Sequence, residues 1–182
     1  MKIIDLVRHG EPDTSIHDDF LRPLTLTGIR QAEMVSSKLQ KQPYTHIFAS
    51  PLRRSVETVV PLAKKQNISV ETNNLLVERK MPEWFDSSQK FTDYINHQWL
   101  DFKYYQAGGE SLQHAQTRYI SFIKDKCKDD EHIAIGSHGT VMSTIYELVH
   151  PGEGFEFWES LPYGSTLRLK VNHDAYIYAE LV

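Results

Sequence analysis

The 182-residue chain has a single cysteine, Cys127, so no disulfide can form within it and a small fold held by disulfide staples is excluded. No apolar run approaches the roughly 20 residues needed to cross a bilayer. The N-terminus has neither the long apolar region nor the small-residue cleavage site of a secretory signal. A cytoplasmic home without a membrane partner is therefore expected. Basic residues are also short, with 20 Lys and Arg against 24 Asp and Glu, for a net charge of −4. A general nucleic-acid binder needs a basic face to neutralise phosphates, so nucleic acid is not an expected partner. A few arginines gathered in one pocket can still reverse the potential for a small anion. Apart from His9 and His138, the histidines (His17, His46, His97, His114, His132, His150 and His173) lack metal-ligand spacing. No metal and no organic cofactor is expected. Nothing in the sequence reads out an oligomeric state.

What is present is ordinary for a globular chain, with 40% hydrophobic and 24% charged residues. The length fits one domain spanning residues 1–182, and there is no internal repeat or low-complexity linker. Short β-branched runs alternate with segments of helical period, which predicts an α/β layer fold with a mostly parallel central sheet flanked by helices. Lys2 to Val7 reads as a buried first strand. Leu26, Ile29, Ala32, Val35 and Leu39 mark one helix face that Thr27 could cap. His46 to Ala49 is a second strand. Val56, Val59, Val60 and Ala63 stripe the next helix, which Pro61 should bend or shorten. Ile68 to Glu71 is a third strand. An aromatic-rich segment follows, residues 84–107, in which Phe91, Tyr94, Ile95, Trp99 and Phe102 recur at helical spacing, a candidate cap over a cleft. Ser111 opens a helix carrying Leu112, Ala115, Tyr119, Phe122 and Ile123. Then come the strand His132 to Gly136 and a helix from Thr140 to Val149. Ser165 to Val171 and Ala175 to Val182 read as an edge hairpin turning at Asn172, His173 and Asp174.

Three groups of chemistry-bearing residues sit just after predicted strands: Arg8 with His9, Ser50 to Arg54, and His138 with Gly139. In open α/β sheets the strand C-termini form one rim where ligands bind, so this topology should gather them into one crevice. Two histidines and at least two arginines in a crevice suit a phosphoryl group, whose oxygens match planar guanidinium forks.

These residues carry a family resemblance. Leu6-Val7-Arg8-His9-Gly10-Glu11 resembles the signature of the histidine phosphatase superfamily, which includes the phosphoglycerate mutases. Ser50 to Thr58 is similar to the second block, with Arg54 at the phosphate-binding arginine. The segment containing Glu78 is similar to the one that supplies the proton donor, Gly109-Glu110-Ser111 to a common element ahead of a helix, and Gly136-Ser137-His138-Gly139 to the block carrying the second histidine. The resemblance implies a three-layer phosphoglycerate mutase-like sandwich. It also implies a metal-independent phosphomonoesterase in which a ring nitrogen of His9 attacks phosphorus. Arg8, Arg54 and His138 would stabilise the phosphoryl oxygens, and Glu78 would act as general acid and then base, with Glu83 and Glu11 as alternatives. The attacking nitrogen must be unprotonated, which a backbone acceptor holding the other N–H would arrange. Backbone N–H groups where Gly139 opens a helix would add anion binding. Ser15 stands where many members carry asparagine and Pro82 where many carry glycine. Ser15 and Arg22 are candidate substrate contacts. The expected partner is a small phosphorylated metabolite. The competing readings are phosphoryl transfer of the phosphoglycerate mutase type and a regulatory module that binds phosphate without turnover.

Overall fold

Six strands form one sheet in the computed structural model, which describes residues 1–182. In chain order the elements are β1 (Lys2–Arg8), α1 (Leu26–Leu39), β2 (His46–Ala49), α2 (Arg53–Gln66), β3 (Val70–Thr72), α3 (Ser88–Leu100), α4 (Leu112–Lys126), β4 (His132–Ser137), α5 (Gly139–Tyr146), α6 (Gly154–Ser160), β5 (Thr166–Asn172) and β6 (Ala175–Leu181), with a single 3-10 turn at Asn74–Leu76. The sheet order is β3-β2-β4-β1-β5-β6. The first four strands in that order pair in parallel, and the β5–β6 hairpin adds antiparallel to β1.

Alternation along the strands divides the core between the two sheet faces. Ile4 and Leu6 of β1 and Ile133 and Ile135 of β4 pack with Tyr119, Phe122 and Ile123 of α4 and Val141 and Ile145 of α5. Val7 and Ala134, of opposite parity, pack with Val35 and Leu39 of α1 and Val59 and Leu62 of α2. Helices therefore cover both faces, the three-layer arrangement expected from the alternating pattern.

Several local expectations are corrected. The α1 cap is Thr25, whose hydroxyl accepts from Gly28 N, not Thr27. Leu26 and Ile29 are exposed because the buried stripe runs through Gly28, Ala32, Val35, Ser36 and Leu39. Pro61 does not shorten α2, which continues to Gln66 with Leu62 and Ala63 still buried. Packing of that face against the sheet outweighs the lost backbone bond. β3 begins at Val70 rather than Ile68, and α5 stops at Tyr146 rather than Val149. Phe102 lies beyond the end of α3. The short helix α6 was not anticipated. By contrast, Ser111 caps α4 through His114 N, and all five predicted core residues of that helix are buried.

Candidate active site

Because β2, β4 and β1 are parallel neighbours, the chain leaves all three at one rim. Arg8 pairs with Ser137 and Ala49 with Gly136 in register, so His9, Ser50 and His138 emerge side by side. The antiparallel strand β5 begins at this same rim, with Thr166 opposite Val7. It thus delivers the segment before it, Leu161 to Ser165, to the same place.

His9 is buried and its backbone is fixed on both sides. Its N–H donates to Ser137 O and its carbonyl accepts from Gly164 N. Nδ1 lies 2.7 Å from Gly10 O, which as an acceptor-only partner requires the proton on Nδ1. Nε2 is left deprotonated and without a protein partner. Burial, then the charge of Arg54, and with them Arg8 and Arg22, push this imidazole down to about 3, against the opposing pull of the Gly10 carbonyl. Gly10 itself is required by packing: a Cβ there would sit 2.5 Å from Gly28 O, where α1 begins.

Arg8 donates from Nη1 to Leu161 O, while its buried Nε has no protein partner. Its guanidinium lies 4.3 Å above the Tyr163 ring and against Gly139, where a Cβ would come within 3.1 Å of Nε. Arg54, 3% exposed, projects from the first turn of α2. Its Nη1 meets the Asp19 carbonyl at 2.8 Å and the Asp19 carboxylate at 3.0 Å. Its neighbour Arg53 is exposed and paired with Glu57 on the same helix.

His138, fully buried, has its ring centroid 5.3 Å from that of His9. Neither of its ring nitrogens has a protein partner. Burial, then Arg54 and the adjacent His9, hold it well below the ordinary imidazole value.

Glu78 departs from the expected layout. Its carboxylate caps α5: Oε2 accepts from Thr140 N at 2.9 Å, and Oε1 accepts from Val141 N at 3.2 Å and from Arg79 N at 2.7 Å. The helix N-terminus after Gly139 therefore holds a protein carboxylate through those two N–H groups, rather than offering both to a bound anion. The Glu78 carbonyl is held by Arg118 Nη2, and Arg118 is clamped by both oxygens of Glu110. The Gly109-Glu110-Ser111 element thereby supports the Glu78 loop. Of the alternative acids, Glu11 accepts from the Thr25 hydroxyl and Glu83 is exposed.

Ser15 is exposed, and its hydroxyl donates to Asp13 at 2.6 Å rather than toward His9. Arg22 lies close enough for its charge to act on His9, yet it donates from Nε to Ile16 O, from Nη1 to Asp19 and from Nη2 to His17 O. Its Cζ lies 5.2 Å from the Trp84 ring centre, and His17 stacks on that ring at 4.2 Å. Sequence reasoning missed Asp19 and Tyr163. Asp19 gave no signal among the acidic loop residues. Tyr163 could have been found by noticing that an antiparallel β5 must start where the parallel strands end. No cluster of three or more His, Cys, Asp or Glu is arranged to hold a metal ion.

Known proteins share this fold. Across 166 residues the chain is 24% identical to phosphoserine phosphatase 1 of Hydrogenobacter thermophilus, covering 84% of this chain and 78% of that protein. It is 30% identical to phosphoglycerate mutase-like protein 4 of Arabidopsis thaliana, covering 81% and 71%. The solved mycobacterial glucosyl-3-phosphoglycerate phosphatase in complex with inorganic phosphate superposes with a TM-score of 0.77 at 19% identity, covering 100% of this chain and 96% of that one. The profile of the histidine phosphatase superfamily (branch 1) matches residues 4–181, from the strand that delivers His9 to the hairpin that closes the sheet, and the chain belongs to that family.

Proposed function

We propose that the chain is a metal-independent phosphomonoesterase that hydrolyses a small phosphorylated substrate through a phosphohistidine on His9. The observation that carries this reading is a neutral, buried His9 whose Nδ1–H is held by Gly10 O, so that Nε2 presents a lone pair beside Arg8, Arg54 and His138. The buried groups that lack protein partners, Arg8 Nε and both His138 nitrogens, are of the type that meets phosphoryl oxygens.

In the first step the Nε2 lone pair forms a bond to phosphorus as the bond to the ester oxygen breaks. The departing alkoxide takes a proton from Glu78. Oε2 of Glu78 accepts one N–H, and a carboxyl oxygen has two lone-pair positions, which leaves a site for that proton. In the second step Glu78 removes a proton from water as the water oxygen attacks phosphorus. The phosphorus–nitrogen bond breaks, inorganic phosphate leaves and neutral His9 is restored. Arg8, Arg54 and a neutral His138 stabilise the equatorial oxygens throughout. The names of relatives such as phosphoserine phosphatase support hydrolysis as the outcome. Transfer of the mutase type needs cations for a second phosphate, and Arg22, the third cation acting on His9, is bonded within its own loop.

The test is phosphate release by the purified protein from a panel of phosphomonoesters in the presence of a chelator. Release that persists in chelator is expected. Absence of turnover would favour the binding-module reading, and turnover restored only by a divalent ion would contradict the mechanism.

A further inference from the structure

The residues next to the reacting nitrogen also describe the organic part of the substrate. Tyr163 stands beside the nucleophile, its ring centroid 5.6 Å from that of His9 and tilted by 33° to it. The ring is 38% exposed although its loop is rigidly tied to the strand carrying His9. Arg8 Nη1 donates to Leu161 O, Arg8 N to Ser165 O, and Gly164 N to His9 O. A second exposed ring, Trp84, reaches the site through Arg22, which lies beneath it. The surrounding charge is the counterpart of these rings. Arg8 and Arg54 are the cations facing a phosphoryl group, and Arg22 is bonded to Ile16, His17 and Asp19. The Asp19 carboxylate, 56% exposed and 3.0 Å from Arg54, is a protein anion already engaging the cations of the site.

Resting on the hydrolase reading above, we infer that Tyr163 is a specificity-determining residue: its ring is the wall for the ester's organic part, and the enzyme prefers phosphomonoesters of alcohols bearing an uncharged planar ring over those bearing a carboxylate. A rigid, exposed ring beside the nucleophile offers the bound ester a stacking surface at no ordering cost. A carboxylate on the alcohol would have to compete with Asp19 for Arg22 and Arg54, both of which Asp19 already engages.

Three esters with alcohols of comparable leaving ability test this: benzyl phosphate, cyclohexylmethyl phosphate and 3-phosphoglycerate, with kcat/KM measured on wild type, Tyr163→Phe and Tyr163→Leu. Wild type should favour benzyl phosphate over 3-phosphoglycerate by about tenfold or more, and over the equally bulky cyclohexyl ester by about two- to tenfold, the range an aromatic pair contributes. Tyr163→Phe should keep both ratios, whereas Tyr163→Leu should bring the benzyl-to-cyclohexyl ratio close to one, mainly through KM. Ratios are insensitive to general damage. Preference for 3-phosphoglycerate, or a benzyl-to-cyclohexyl ratio unmoved by Tyr163→Leu, overturns the inference while leaving the hydrolase reading intact. Release from none of the three esters, nor from p-nitrophenyl phosphate, overturns both.

Discussion

Acidification separates His9 from an ordinary histidine. With the usual midpoint of 6.5, an imidazole would be only about 3% neutral at about pH 5, whereas one held at about 3 stays about 99% neutral, a difference of about thirtyfold in competent nucleophile. The same shift changes stability with pH. The unfolded chain takes up a proton at this side chain below about 6.5, while the folded chain does not until about 3, so the contribution is present above 6.5 and is lost as pH falls toward 3. Between about pH 7 and about pH 4.5, His9 alone should remove about 2–3 kcal/mol of folding stability. His138 shifts in the same direction and adds to the slope, but burial and Arg54 are its largest causes and both remain in His9→Asn, so most of its share is common to the two proteins. Urea unfolding at the two pH values should show the wild type losing about 2–3 kcal/mol more than the variant. Nuclear magnetic resonance of ring-labelled histidine should show His9 still neutral, with its proton on Nδ1, at about pH 5. A ring that titrates near 6.5, with equal acid slopes in the two proteins, would refute the claim that burial and the guanidinium charges keep the nucleophile neutral.

Two further predictions concern Glu78, the cap of α5 and the proposed acid, and Asp5, outside the site. Glu78→Gln turns an NH2 group toward backbone N–H donors of α5 or Arg79, and should cost about 1–3 kcal/mol in urea unfolding. It should also slow alkyl phosphates by about 100-fold or more while slowing an activated aryl phosphate far less; equal losses on both would leave Glu78 a structural cap. Asp5, fully buried on β1, accepts from Arg168 Nε and Nη2 at 2.8 and 2.7 Å, from the Tyr44 hydroxyl at 2.5 Å and lies 3.0 Å from His132 Nε2. Burial opposes its charge, but Arg168, His132 and Tyr44 outweigh it and keep its pKa low. Asp5→Asn should cost about 3 kcal/mol by thermal or chemical unfolding, because Arg168 loses its carboxylate while remaining four-fifths covered; a loss below about 1 kcal/mol would contradict that.

The sheet and the place of His9 and His138 at its rim were legible in the sequence because their signals are local. Short β-branched runs and segments of helical period placed β1, β2, α4 and the terminal hairpin, and the parallel order follows from their alternation. His9 and His138 were legible as residues that directly follow buried strands. What the sequence could not show depends on which chain segments meet. Asp19 reaches Arg54 only because the loop from Asp13 to Pro23 folds back on itself, joined by the bond from Asp13 N to Pro23 O. Glu78 was singled out as an acid, but its place at the N-terminus of α5 depends on a loop supported by Arg118 across the fold. Thr27 and Thr25 are equally good caps by residue type, and only the packing of Gly28 beside Glu11 decides between them.

The central claim is the covalent bond from phosphorus to His9. Rapid acid-free quenching of the wild type during turnover of a radiolabelled phosphomonoester should leave protein-bound phosphate that is stable to base and labile to acid, and peptide mapping should place it on His9. His9→Ala, folded as judged by circular dichroism, should carry none and release no phosphate. Label found on a serine or on His138, or near-normal turnover by His9→Ala, would contradict the account.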